Sequence, residues 1–327
     1  ITAKVHDYKF EITTLRKDIS TDGRHAEVEF SNDWHEDASR RDFTFNAIYA
    51  DLHGNLYDPF NGKKDLESGN VKFIGNPEKR IKEDYLRILR YVRFFLNYSK
   101  VDHKDSLKKI IKQNINGISK ISSDRLLDEL KKLVLSKGFL KISKDKFCQE
   151  IITLVFPQLI NLGIFKNIND YSKKIIEEKD FIFLISLMII DNTDNSEYFI
   201  YKYNISNEDK KRIKFLSNIY SKNLDRNTFK EKNFWKIIYY NGKDYLIDLI
   251  DFQIFQNKKL DKNLLKLKTF FNTQEVPKLE VKAKTLIEKF NFKEGKELGE
   301  KLKEIEEFWI ENSFKISDQE LNKIIKN

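Results

Sequence analysis

The sequence has a single cysteine, Cys148, so it can form no internal disulfide and no cysteine-rich zinc site. It also lacks a long apolar run. The richest, "FIFLISLMII" (181–190), falls well short of the roughly 18 residues a membrane helix needs and reads as a buried helix. No cationic leader followed by an apolar stretch opens the sequence as given, so the expected location is cytoplasmic, with no membrane partner. The five histidines (His6, His25, His35, His53, His103) show no metal-ligand spacing. No Asp-x-Asp occurs anywhere, and no Gly-Gly or Gly-Ser loop precedes residue 23.

What is present is an ordinary globular balance with an excess of positive charge. Apolar residues make up 40% of the 327, enough for a real core and for two or three domains. Sixty Lys and Arg against 51 Asp and Glu leave a net charge of +9. That excess suits a polyanionic partner, and a lysine-rich composition bias produces it equally well.

Hydrophobic periodicity divides the chain. "YKFEITTL" (8–15) and "HAEVEF" (25–30) alternate with period two, and short apolar runs broken by Asn-Gly and Ser-Gly-Asn turns follow as far as Gly75. After Asn76-Pro77, with Pro77 suited to a first helical turn, the period becomes 3.6. It predicts helices over 77–97, 103–115, 122–137, 144–155, 169–189, 207–221, 228–255 and 260–272, and two more around Gly295 within 284–314. No repeat of 20–50 residues is visible. The expected class is α+β: a partial head with a mixed β-sheet and helices, followed by an all-α remainder.

One stretch carries a chemical signature. In "EDYLRILRYVRF" (83–94), a step of about 100° per residue puts Ile81, Tyr85, Ile88, Leu89, Val92, Phe95 and Leu96 on one stripe. Asp84, Arg87, Arg90 and Arg93 wind down the opposite side. Clustered guanidinium groups repel one another, so an anion explains the row better than a solvated face does. The plain alternative is an Asp84–Arg87 ion pair worth about 0.2–0.5 kcal/mol. Planar guanidinium forks suit phosphate oxygens, and a triphosphate fits the ladder. A carboxylate beside a guanidinium offers an acceptor next to a donor, which complements the amino group and ring nitrogen of cytosine and adenine. Guanine and uracil present the reverse order, so both contacts turn repulsive. Asp84 and Arg87 could thus accept C and A and reject G and U without a nucleic-acid template.

These residues carry a family resemblance. "RRDFTFNAIYAD" (40–51), "YDPFNGKKDL" (57–66) and "EDYLRILRYVRF" (83–94) resemble the motifs of class II CCA-adding tRNA nucleotidyltransferases, of the tRNA nucleotidyltransferase/poly(A) polymerase family. "ISSDRLLDELKKLV" (121–134) is similar to the family's neck helix, and the order agrees across about 5–135. Residues 10–43 look most like the alpha-proteobacterial branch, and "GKELGEKLKEIEEFWIENSF" faintly resembles the family's tail. Phe45 stands where isoleucine or leucine is usual; the position is apolar either way. The resemblance implies a head over 1–76, a nucleotide-selecting neck over 77–137, a helical body over 138–258 and a tRNA-binding tail over 259–327. It implies template-independent addition of CCA, from CTP and then ATP, to tRNA 3′ ends. Arg41 would contact the triphosphate, Asp42 would orient the ribose, and Asp84 and Arg87 would read the base. Arg90 and Arg93 would continue the nucleotide contacts, and the loop at Asp22-Gly23-Arg24 would adjust as specificity switches. Asp58, Asn61, Gly62 and Asp65 would form a hinge, and body and tail would hold the acceptor and T arms of tRNA. Without the resemblance, Arg40, Arg41 and Asp42 could equally be a strand-end ion cluster.

The family's chemistry uses two Mg2+ ions on an Asp-x-Asp strand, behind a glycine-rich phosphate loop. Both features are missing, and the sequence is expected to lack several dozen residues at its start, with the Asp-x-Asp upstream; the chain as given should bind nucleotide but not catalyse. Glu11 matches the strand position of the superfamily's third carboxylate, a low-ranking catalytic candidate beside its reading as a plain strand acid. Glu27 and Glu29 share one strand face and read as solvent-facing. Two other functions stay open at this point. One is a poly(A) polymerase or A-adding nucleotidyltransferase, which shares these motifs. The other is a non-catalytic RNA-binding protein derived from the enzyme.

Overall fold

The computed structural model describes residues 1–21, 26–221, 231–257 and 261–326. The Asp22-Gly23-Arg24 loop lies outside the described residues. Two compact units emerge: Ile1–Asn167 with Tyr198–Ile205, and Ile168–Glu197 with Ser206–Asn327.

The first unit opens on hairpins. Strands β1 (Thr2–Val5) and β2 (Tyr8–Glu11) pair antiparallel around a left-handed His6, and β3 (Arg16–Thr21) pairs antiparallel with β4 (Ala26–Phe30). Helix α1 (Trp34–Ser39) is capped by Asp33, whose carboxylate accepts from His35 N at 2.7 Å. A 3-10 turn over Thr44–Ala47 leads into β5 (Tyr49–Ala50), which pairs with β6 (Leu56–Tyr57) ahead of α2 (Gly62–Ser68). The expectation of one mixed sheet is corrected here: the described strands form three separate two-stranded antiparallel ladders. β2 is exposed along its whole length, with Tyr8 and Phe10 in solvent, so no buried face recruits a third strand.

The helical part begins as Asn76-Pro77 suggests. Asn76 caps α3 (Pro77–Glu83) by accepting from Lys79 N at 3.0 Å, with Pro77 in the first turn. The single helix expected over 77–97 is broken. Asp84 is extended, its carboxylate accepts from Leu86 N at 3.1 Å, and α4 starts afresh over Arg87–Tyr98. Ile88, Leu89, Val92 and Leu96 of α4 are buried as the stripe implies. Tyr91 and Phe94 are buried as well, because α4 packs on α3, on α6 (Ser123–Val134) and on α7 (Lys146–Val155), with α5 (Asp105–Asn114) beside α3.

Gly138 packs closely against α4. Its N–H donates to Asn97 Oδ1 at 3.0 Å, and an added Cβ would lie 2.3 Å from the Leu96 carbonyl oxygen. That neighbour is backbone and cannot swing aside. Gly138→Ala is expected to lower stability by about 1–3 kcal/mol, read as a shifted urea midpoint at unchanged slope.

Among its described residues the second unit forms helices and no strand. The expected helix 169–189 is two, α8 (Asp170–Glu178) and α9 (Phe181–Ile189), because Asp180 caps the second by accepting from Phe183 N at 3.0 Å. All nine residues of α9 are buried, as its apolar run implies. Helix α10 (Asn195–Lys202), which the sequence reading did not place, runs from the second unit into the Tyr198–Ile205 stretch of the first, and α11 (Asn207–Ser221) follows. Gly242, at φ 96°, splits the expected 228–255 helix into α12 (Glu231–Asn241) and α13 (Lys243–Asn257). The unit continues with α14 (Lys262–Thr273), α15 (Ala283–Phe290), α16 (Lys296–Glu311) and α17 (Asp318–Lys326). One core cluster of the unit joins Phe234, Trp235, Ile250, Phe271 and Trp309. Asp248 and Asp251, both buried, share Lys179 at 2.8 and 2.9 Å. Among the described residues no helix is long and apolar enough to cross a membrane.

Candidate functional site

A cavity of about 560 Å³ opens in the first unit where the head meets the break before α4. Arg16, Arg40, Arg41, Asp42 and Asn46 line it together with Asp84, Leu86, Arg87, Arg90 and Phe94, and with Arg125 from α6. Six arginines thus face two aspartates. So one-signed a wall needs buried anions behind it, and the structure supplies them.

Asp37, on α1, is the first. It is 1% exposed, and its Oδ1 accepts from Arg40 Nε at 2.9 Å and Nη2 at 2.5 Å. Its Oδ2 accepts from Arg41 Nε at 3.2 Å and Nη2 at 3.1 Å, and from the Tyr49 hydroxyl at 2.6 Å. Burial works upward on this carboxyl, yet the bonds from Tyr49, Arg40 and Arg41 outweigh it and hold it down to about 2. Burial and the same bond to Asp37 push the Tyr49 hydroxyl up to about 12. A carboxyl depressed in the folded state stabilises above its unfolded value, near 3.9, and loses that contribution as pH falls. Between about pH 4 and pH 2, wild-type stability is expected to drop by about 1–2 kcal/mol more than that of Asp37→Asn, after allowing for solvent screening. Urea titrations across that range measure it.

Asp42 is the second anion. It is 7% exposed; its Oδ1 accepts from Phe43 N and Asn46 Nδ2, both at 2.9 Å, and its Oδ2 from Arg90 Nε at 2.5 Å. Burial raises its pKa, but Arg90 alongside carries it below the usual carboxylate range. Arg87 leans on Glu83 at 2.6 Å and on the Arg80 carbonyl at 2.6 Å. Arg80 in turn donates to the Ser39 carbonyl at 3.1 Å and to the Arg41 carbonyl, stitching α3 to the head. The Asp84–Arg87 ion pair weighed from spacing is not among the contacts. Asp84 Oδ2 takes Arg125 at 2.8 Å instead, so Asp84 and Arg87 both line the cavity with separate partners.

The structure therefore gathers Arg41, Asp42, Asp84, Arg87 and Arg90 around one space. Arg93 is not on that wall: its Nε donates to Glu129 Oε1 at 2.6 Å and its guanidinium stacks over Phe94. Glu11 sits at the exposed end of β2, opposite Thr2. Of the hinge residues, Asp58 accepts from Gly62 N and Lys63 N to start α2, Asn61 is left-handed, and Asp65 accepts from Thr44 Oγ1 at 2.8 Å. Sequence reasoning missed Arg16, Asp37, Arg125 and Glu129. Asp37 was detectable, three and four residues before the paired arginines; the partners of Asp84 and Arg93, 41 and 36 residues away, were not.

Comparison with known proteins bears on this geometry. Residues 1–72 match the family model "Poly A polymerase head domain". Over 329 residues the chain is 30% identical to the CCA-adding enzyme of Lactococcus lactis subsp. cremoris (strain SK11), covering 94% of this chain and 74% of that one. The chain belongs to the CCA-adding enzyme family. It is 49% identical over 140 residues to the CCA tRNA nucleotidyltransferase 1, mitochondrial, of Homo sapiens, a match of 41% of this chain. That match spans 32% of the human protein, about a third of its length. The fold is similar to that of the Bacillus stearothermophilus CCA-adding enzyme solved in complex with CTP, with a TM-score of 0.74 at 20% identity, covering 99% of this chain and 80% of that one.

Paired Mg2+ ions, implied by the CCA-adding family, need adjoining carboxylates. Among the described residues the only cluster of three or more His, Cys, Asp or Glu close enough to share an ion is His103, Asp145 and Cys148, which includes neither Glu11, Asp42 nor Asp84. Asp42 and Asp84 are also already held by arginines. The described residues of this CCA-adding family member do not fit a two-metal site.

Proposed function

We propose that the chain selects CTP and ATP for template-independent addition of CCA to tRNA 3′ ends, the cavity holding the incoming nucleotide. One observation carries this reading: Asp84 and Arg87 stand on the same wall as Arg41 and Arg90 without being paired to each other. A carboxylate has about four acceptor positions, and Leu86 N and Arg125 occupy two at Asp84. An amino group of cytosine or adenine takes a third. Arg87 Nη2 makes only a 3.5 Å contact, with the Arg40 carbonyl, and so keeps a donor for the neighbouring ring nitrogen. Arg41 and Arg90 take phosphate oxygens, and Asp42, tied down by Arg90, meets the ribose hydroxyl.

The breadth of the match supports CCA addition over poly(A) synthesis. The Poly A polymerase head model covers residues 1–72 alone, whereas the Lactococcus CCA-adding relative aligns along 94% of the chain. The net charge of +9 suits tRNA as the second substrate, and a cytoplasmic place belongs to the same proposal. Equilibrium binding of the four ribonucleoside triphosphates tests it. CTP and ATP should each bind at least about tenfold more tightly than GTP and UTP. Equal affinity for all four would overturn the reading.

A further inference from the structure

We infer that His103, Asp145 and Cys148 form a structural site for one zinc-class divalent ion, separate from the nucleotide cavity. His103 Nε2 lies 3.0 Å from Asp145 Oδ2 and 3.7 Å from Cys148 Sγ, and the three atoms lie within 4.8 Å of one another. Metal bonds of about 2.0–2.1 Å to nitrogen and oxygen and about 2.3 Å to sulfur give a tetrahedron with edges of about 3.3 Å and 3.6 Å. The two separations from His103 Nε2, 3.0 Å to Asp145 and 3.7 Å to Cys148, lie within a few tenths of an ångström of those edges.

The surroundings are arranged as ligands require. Asp145 divides its oxygens: Oδ1 accepts from Cys148 N at 2.8 Å and caps α7, which leaves Oδ2 toward the imidazole. Cys148 is in the first turn of α7, where the helix dipole favours a thiolate. The far ring nitrogen of His103, Nδ1, meets the Tyr91 hydroxyl at 2.8 Å, the outer contact that fixes a ligating imidazole. Phe95 stacks on the ring at 3.5 Å between centroids. One carboxylate and one thiolate neutralise a divalent ion, as a buried position demands. Cys148 is fully buried, whereas Asp145 keeps 21% of its side chain exposed, enough for a water as fourth ligand. A thiolate with an imidazole selects zinc-like ions over Mg2+. Spacing could not reveal the site, because His103 precedes Asp145 by 42 residues.

In the ion-free protein, burial and the nearby Asp145 keep the thiol protonated. Binding breaks the S–H bond, forms the metal–sulfur bond and releases that proton to solvent. The imidazole proton then sits on Nδ1, with the Tyr91 oxygen accepting, so that Nε2 faces the ion. The bound ion ties α7 to the segment before α5 and, through Tyr91, to α4.

Co2+ is the probe, added to the metal-free full chain. Because Cys148 is the sole cysteine, a sulfur-to-cobalt charge-transfer band reports this site and no other. The expected result is that band together with tetrahedral visible bands, saturating at one ion per chain and displaced by Zn2+. Tyr91→Phe should weaken Co2+ binding about ten- to a hundredfold. Cys148→Ser should lose the charge-transfer band. Absence of the band in the wild-type chain, or its persistence in Cys148→Ser, would overturn the site, and the wild-type spectrum decides even if a variant fails to fold.

Discussion

Asp84→Ala is expected to remove most of the preference for CTP and ATP over GTP and UTP, a loss of about 2–4 kcal/mol, or roughly 30- to 900-fold. The magnitude follows from what discrimination means at a half-buried polar edge. A wrong base leaves both the carboxylate and the guanidinium without partners and adds like-with-like repulsion. With the carboxylate gone that penalty disappears, and affinities for the four nucleotides converge, mostly by loss of CTP and ATP binding. Asp84 has two further duties, capping the break before α4 through Leu86 N and holding Arg125, so the substitution also costs some stability. Arg90→Ala separates these effects. It removes a group from the same wall, yet Arg90 faces Asp42 and the phosphates rather than a base, so all four nucleotides should weaken together. Competition binding at fixed salt distinguishes the two patterns. Retained selectivity in a folded Asp84→Ala chain would remove the base-reading role.

How much of this was legible beforehand depends on how far apart the partners lie along the chain. The apolar stripe of α4 was readable because helix geometry alone sets it, and Ile88, Leu89, Val92 and Leu96 are buried accordingly. The break at Asp84 was not, since periodicity continues across it and a side chain closing on Leu86 N causes it. The same holds at Asp180, where another aspartate starts a helix inside an apolar pattern. The strand expected over 25–30 forms and the one over 8–15 forms only as far as Glu11, but β1, β3 and the grouping of the strands were not legible, the last because it depends on a buried face that β2 lacks. Within the cavity, Arg41, Asp42, Asp84, Arg87 and Arg90 follow from the motifs. Asp37, which holds Arg40 and Arg41, was readable only from its spacing to them, and Glu129, which holds Arg93 off the cavity, reaches α4 only through the packing of α6.

Arg93 is where that distinction has its largest measurable consequence. Read from the ladder, Arg93 grips nucleotide, and Arg93→Ala should weaken binding in a chain of normal stability. The packing points elsewhere. Glu129 is 2% exposed, and Arg93, with 16% of its side chain exposed, is 2.6 Å from it. Removing the arginine strands a buried carboxylate, which costs about 3–5 kcal/mol, far more than a surface ion pair is worth. A buried pair replaced on both sides by apolar residues of similar volume is often neutral. Arg93→Ala is therefore expected to lower the unfolding free energy by about 3–5 kcal/mol, while Arg93→Met with Glu129→Leu restores most of it. Urea unfolding measures both. Because Arg93 lies off the cavity wall, the stable double variant should keep the CTP and ATP preference of the parent chain. If instead the double variant is stable but binds every nucleotide weakly, Arg93 belongs to the phosphate ladder after all, and Glu129 serves to aim it.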